Sequence, residues 1–403
     1  MKYINFEKTF FYIVLAFAFV LPISRALVTL FIILLPFVWI IEGDFRNKFQ
    51  KIQKKKIFLP LFGFFLLSIF SLLWSSDYDV AKNELRILSY FFALFIIATS
   101  LKQRYINTII TAFLSGMFIS EIIAYGVFFE LWTFKNATPQ DPSPFMSHIE
   151  YSIFLAFTSI LLLNRLFSKE YFFKEKILLL FFFLTVTGNL FITQGRTGQV
   201  AYVVAIITMT VLHFKITFKS LILALLLLSS IFGTAYSFSS NFHNRVTHTQ
   251  DEITSILKGE LNSSWGIRVG FWITTFHILE KDPLLGVGIG DYKLAQKQEI
   301  DTGNYKYLSE HTKEFISHNH PHNQYLLVLL ETGIIGLILF LSFFYKYFKL
   351  NIQNRELKQL SIIFGVIYSV GFLSEPLLIK QFTLSLFILF FGLFILLENP
   401  KTI

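Results

Sequence analysis

Apolar runs of 14 to 22 residues, separated by short polar stretches, fill most of the chain. A helix that crosses a bilayer needs roughly 20 mostly apolar residues. The pattern predicts about twelve such spans, at 8–24, 26–42, 57–74, 88–101, 106–127, 149–164, 177–193, 199–213, 220–238, 324–345, 359–376 and 381–398. The first run resembles a signal peptide, but a second follows at once, which favours two retained spans. One polar break is different in kind. Residues 239–323 form a stretch of about 85 residues, long enough for a domain of its own. Loops of this length are often functional. The expected organisation is therefore nine spans in 1–238, a large loop domain in 239–323 and three spans in 324–403.

Inside that loop, "WGIRVGFWITTFHILEKDPLLGVGIGDY" begins at Trp265. Val269, Trp272, Ile273, Phe276 and Leu279 recur at helical spacing. Asp282-Pro283 stops the helix, and Gly286, Gly288 and Gly290 make a turn. The pattern predicts an amphipathic helix on the membrane surface or against the bundle.

Composition settles the class. The chain is 54% hydrophobic and 15% charged, with 51 phenylalanines and a mean hydropathy of +0.60. A soluble domain of 403 residues could not hide so much apolar surface, so the expected fold is an all-α polytopic membrane protein. The net charge of +9 then points to anionic lipid head groups, not nucleic acid. The absence of cysteine excludes disulfides, thiol catalysis and cysteine metal sites. With the N-terminus inside, the inner segments hold 21 Lys/Arg, including Lys2, Lys215 and Lys401, and the short outer loops hold 6. That asymmetry places both chain ends in the cytoplasm. Residues 239–323 carry 8 Lys/Arg against 10 Asp/Glu and fall on the outer side.

Three places carry candidate chemistry. In "TQGRTGQV", Arg196 lies between two glycines at the edge of two apolar runs. A guanidinium there is costly without a partner. It either snorkels to lipid phosphates or clamps an anion, since its planar fork matches phosphate oxygens. Arg268 lies near the start of the loop helix and by position alone reads as a solvated surface charge. His318, His320 and His322 alternate before the tenth run. Alternate residues share one face of an extended chain, yet no carboxylate stands at familiar ligand spacing for a metal. They are solvated loop residues, or one of them is a general base, and His322 is the best placed. Glu375 at the outer end of a span, Arg86 and Asn323 are further substrate-binding candidates. Tyr325 reads as an interface aromatic.

The stretch "HNQYLLVLLETGIIG" resembles the signature of the O-antigen ligase superfamily: His322, Asn323, nine residues, Gly333, two residues, Gly336. "RVGFWITTFHILEKDPLLGVGIGDY" is similar to the family's Arg-led loop helix and its D-P-L-x-G-x-G turn. "QGRTGQV" is similar to its arginine turn, with Gln194-Gly195 where many members have a serine. The resemblance implies a glycosyltransferase type C-like fold in the bacterial inner membrane. It implies inverting, metal-independent transfer at the periplasmic face, without a cofactor, of a glycan from undecaprenyl pyrophosphate to the lipid A–core oligosaccharide. Arg196 and Arg268 would stabilise the leaving pyrophosphate, and His322 would orient or deprotonate the acceptor hydroxyl. An O-antigen polymerase and an O-linked protein oligosaccharyltransferase share the His motif. A transporter or lipid flippase is the rival of another class. A two-half transporter, however, would show similar halves and a long central inner loop.

Overall fold

The computed structural model describes residues 5–214, 217–238 and 240–399, with only part of the side chains between 218 and 245. Lys2, Lys215, Lys401 and both chain ends lie outside the described residues. The described chain is all-helical, with two isolated bridges, Phe134 to Ala137 and Thr138 to Asp141, and no strand. Six helices among the described residues are long and apolar enough to cross a membrane: Arg25–Glu42, Gln103–Phe128, His148–Phe167, Phe173–Ile192, Arg196–Phe214 and Gln324–Phe348. A pair bent by 106°, Phe45–Lys54 and Phe58–Leu73, makes a seventh if it is one span. This architecture is that of a polytopic membrane protein.

Fewer helices reach spanning length than the hydropathy pattern predicts. Phe6–Val20 has 15 residues, Phe92–Ser100 has 9, Arg355–Gly371 has 17 and Gln381–Leu396 has 16. Nine residues rise only ~13 Å. Phe92–Ser100 and Gln381–Leu396 are apolar for another reason: both are buried in protein along nearly their whole length. Rings of Phe343, Phe344, Phe364, Tyr368, Phe387 and Phe391 pack around one another there, with Phe387 and Phe391 stacked at 3.9 Å. Hydropathy counts such core helices as if lipid surrounded them.

Residues 240–318 build four helices: Ser240–Leu257, Ser264–Leu279, Tyr292–Thr302 and Glu310–His318. They enclose a small core of their own from Leu261, Phe271, Ile300, Tyr305, Leu308 and Ile316. Ser263 caps the second helix by accepting from the Gly266 N–H at 3.1 Å. Its buried face follows the apolar positions of the sequence only in part: Leu279 is buried and Val269 and Ile273 pack against this core. Gly266, Gly270, Phe271, Thr274 and Ile278 face inward, while Trp272 and Phe276 are exposed. Small residues win because the neighbours come too close for large ones. A Cβ on Gly270 would stand 2.9 Å from the Ile316 side chain.

Helix Gln324–Phe348 is broken at Gly333, whose φ of +62° is the left-handed region. The break frees backbone groups that an apolar setting cannot leave unpaired. The Asp282–Gly290 turn satisfies them. Val287 and Gly288 N–H donate to Leu330 and Glu331 carbonyls at 2.8 and 3.1 Å. Ile334 N–H donates to the Pro283 carbonyl at 2.9 Å. Gly286, Gly288 and Gly290 all have positive φ, as the turn predicted from sequence requires. The D-P-L-x-G-x-G and H-N-x9-G-x2-G motifs are two halves of one joint.

Candidate active site

His322 is the second residue before helix Gln324–Phe348 and has φ of +46°, unusual for a residue with a side chain. Asn323 caps the helix by accepting from Leu326 N–H at 3.1 Å. The His322 ring lies parallel to Phe315 at 5.9 Å and edge-on to Phe271 at 6.0 Å. Its Nδ1 meets Glu375 Oε1 at 2.8 Å. That leaves Nε2 as the nitrogen available to a substrate.

Glu375 is 1% exposed, in the connection after helix Arg355–Gly371. The start of the His322 helix holds this connection. Gln324 N–H donates to the Phe372 carbonyl at 2.8 Å, Asn323 Nδ2 to the Leu373 carbonyl at 3.1 Å, and Leu378 N–H to Gln324 Oε1 at 2.9 Å. Burial pushes the Glu375 carboxyl up, but the His322 hydrogen bond and the charges of His322, Lys380 and His320 outweigh it and hold it below its ordinary range. Lys380 Nζ stands 3.7 Å from Oε2.

Arg196 opens helix Arg196–Phe214. Its turn is seated by close approach: Cβ atoms on Gly195 or Gly198 would fall within 2.4 Å of Ser152, and Gly198 N–H donates to Ser152 Oγ at 3.1 Å. Thr197 Oγ1 meets Ser374 Oγ at 2.9 Å, tying the arginine turn to the residue beside Glu375. Arg196 Nη1 pairs with Glu252 at 3.3 Å. Arg268 and Phe271 are three apart and share one helix face. The Arg268 Nη1 donates to the Ser264 carbonyl and hydroxyl, the guanidinium rests over Trp265, and Nε is buried without a hydrogen-bond partner. Burial lowers its pKa, and the nearby Arg196 charge lowers it further against Glu375 and Glu252. It stays cationic, as a guanidinium does in folded proteins. Arg196, Arg268, Glu252, Glu375 and His322 thus form one electrostatic cluster.

The other expected residues lie elsewhere. Arg86 is exposed and donates to Asn83 at 2.7 Å, and the structure does not bring it to the cluster. Asn323 is a cap and strut. Tyr325 is half-buried: its hydroxyl donates to the Ser369 carbonyl at 3.0 Å and its ring packs on Phe340 and Phe372. His318 ends a helix and contacts Glu314, so the three histidines do not share an extended face. Glu252 and Lys380 join the site without a local signal in the sequence, and His320, one of the three alternating histidines, joins it beside His322.

His320, His322 and Glu375 offer one donor atom each within 4.8 Å of one another, a set able to hold a metal. Lys380 and Arg268 set two cations beside it, which disfavours a dication and suits the hydrogen-bonded His–Glu pair. Burial, then the neighbouring His322, pushes the His320 pKa down to about 4. Unfolded histidine titrates near 6.5. Below that pH the unfolded chain takes up a proton that the folded chain refuses, so stability falls from about 6.5 towards 4. His320→Asn is expected to flatten this loss by at most ~3 kcal/mol, read as the thermal midpoint against pH in detergent. Equal acid sensitivity in the variant would refute it.

Comparison with known proteins agrees with these motifs. Residues 180–341, which hold Arg196, Arg268 and His322, match the family described as O-antigen ligase. The resemblance to the O-antigen ligase superfamily therefore stands. A Rickettsia conorii protein provisionally named a polysaccharide ligase is 38% identical over 100 residues, 24% of this chain and 23% of its own length. A Rickettsia felis protein of similar name is 34% identical over 110 residues, 27% of this chain and 26% of the relative. The chain thus spans about a quarter of the length of these relatives.

Proposed function

We propose that this protein is a membrane glycosyltransferase of the ligase type, working at the periplasmic face of a bacterial inner membrane. It moves a glycan from undecaprenyl pyrophosphate to a hydroxyl of the lipid A–core oligosaccharide. The observation that carries the reading is the gathering of Arg268 and Arg196 near His322, whose ring is fixed by the buried Glu375 carboxylate. His322 Nδ1–H donates to Glu375, and Nε2 takes the proton of the acceptor hydroxyl. The acceptor oxygen bonds to the anomeric carbon as the bond from that carbon to the pyrophosphate oxygen breaks. A single displacement inverts the configuration. Arg196 and Arg268 take up the charge that develops on the pyrophosphate, and Arg196 exchanges Glu252 for a phosphate oxygen.

The test is reconstitution in detergent with undecaprenyl-pyrophosphate glycan and lipopolysaccharide core, with EDTA present. Wild type is expected to extend the core. Arg196→Ala and Arg268→Ala are each expected to lose ~10²-fold in turnover. Lengthening of the lipid-linked glycan instead of the core would make the protein a polymerase. Glycan transfer to a protein would make it an oligosaccharyltransferase. Movement of the lipid across a bilayer without transfer would make it a flippase.

A further inference from the structure

Beside the arginine turn lies a pocket of about 300 Å³, at the lower end of ligand-sized sites, lined by Lys135, Asn136, Asp141, Ser143, Phe145 and His148 among others. We propose that it receives the first sugars of the lipid-linked donor. The proposal rests on the transferase reading and adds to it the place where the donor glycan is held.

The first support is position. The Asp141 carboxylate accepts a hydrogen bond from the backbone of Gln194, and Gln194 Nε2 donates to the Gln140 carbonyl at 3.4 Å. A Cβ on Gly195 would stand 2.5 Å from the His148 carbonyl. The pocket wall and the Arg196 turn are therefore one piece of structure. The first donor sugar is bonded directly to the pyrophosphate. A sugar subsite must adjoin whatever holds the phosphates, and this pocket does.

The second support is chemistry. His148 Nδ1 meets Asp141 Oδ2 at 3.0 Å, which fixes the ring. Its other nitrogen makes no hydrogen bond among the described residues. Ser143 Oγ–H donates to Asp141 at 2.9 Å. The Lys135 ammonium lies 5.2 and 5.1 Å from the Phe134 and Phe145 rings and forms no ion pair among the described residues. The pocket thus presents an oriented imidazole, an unpaired ammonium and an amide, a donor-rich set for sugar hydroxyls and carbonyls. The third support is strain. Among the described residues four non-glycines have positive φ, and Glu130 and Lys135 are two of them, in the segment that carries the pocket. Another is His322. Such backbone persists where surrounding structure enforces it, and it gathers at functional sites.

The test measures binding, not turnover. Purified full-length chain in detergent is titrated with bare undecaprenyl pyrophosphate, and with the same lipid carrying an N-acetylhexosamine disaccharide. Wild type is expected to bind the glycosylated lipid at least tenfold more tightly. Lys135→Ala combined with His148→Gln is expected to bind both lipids alike, with the bare lipid within twofold of wild type and the melting curve unchanged. The proposal is overturned if the double variant keeps the tenfold advantage, if it loses the bare lipid as well, or if wild type binds both lipids equally. In the last case bare-lipid binding that falls in Arg196→Ala and Arg268→Ala still supports the arginine clamp. Failure of wild type to bind either lipid removes the transferase reading and the subsite with it.

Discussion

His322→Ala is expected to lower turnover by roughly 10²–10⁴-fold, the range that a positioned general base supplies. Acceptor KM should change little, because the imidazole acts on the proton in flight and not on bound sugar. Glu375→Gln keeps the size and an acceptor oxygen for Nδ1–H, and so keeps the ring in place. It removes the anion that stabilises the charged imidazole, and ~10²-fold should go with it. The pH–rate profile separates base from strut. With Glu375 intact, rate rises with pH along an acid limb. In Glu375→Gln that limb moves to lower pH, since the charge favouring the imidazolium is gone. A His322→Ala variant that retains a tenth of the activity would end the base assignment. An unmoved acid limb in Glu375→Gln would reduce Glu375 to a structural role.

The second large effect lies where no substrate reaches. Gly333→Val forces a β-branched side chain onto φ of +62° and sets its Cβ 2.2 Å from the Leu284 carbonyl. Left-handed backbone alone costs ~1–3 kcal/mol, and the clash with a backbone atom adds to it. Either the helix straightens or the Asp282–Gly290 turn is expelled. Each course shifts helix Gln324–Phe348 and with it His322. The expected outcome is loss of ~3 kcal/mol or more of stability together with transfer activity, read by thermal unfolding and by assay of what remains folded. Gly233→Ala is the control: its Cβ would meet nothing within 4 Å, so a helical alanine there should be neutral or slightly stabilising. Equal damage at both positions would mean that the break at Gly333 has no special part.

Much of the site was legible in the sequence because its members sit in local motifs. Arg196 lies between glycines that mark a close helix contact. The D-P-L-x-G-x-G turn announces positive φ. The spacing from His322 to Gly333 holds a helix of about two and a half turns followed by its break. What the sequence hides is distance. Glu375 is 53 residues beyond His322, and Glu252 is 56 beyond Arg196. Neither pair leaves a periodic trace. Burial in protein also imitates burial in lipid, so helices such as Phe92–Ser100 read as spans. The face of Ser264–Leu279 is legible only in part for the converse reason, because close packing selects glycine and threonine, which a hydropathy pattern scores as gaps.

Beyond its break, helix Gln324–Phe348 runs straight from Ile334 for 15 residues, ~22 Å. A typical hydrocarbon layer is ~30 Å. Phe58–Phe70, half of the bent pair, is short as well, at 13 residues. A short helix cannot answer this mismatch by tilting, which suits only helices that are too long. A bilayer would thin around the segment beyond the break instead. A thinned leaflet would lower the head-group plane towards the protein, and the charge of any lipid anchored at that plane would come down with it.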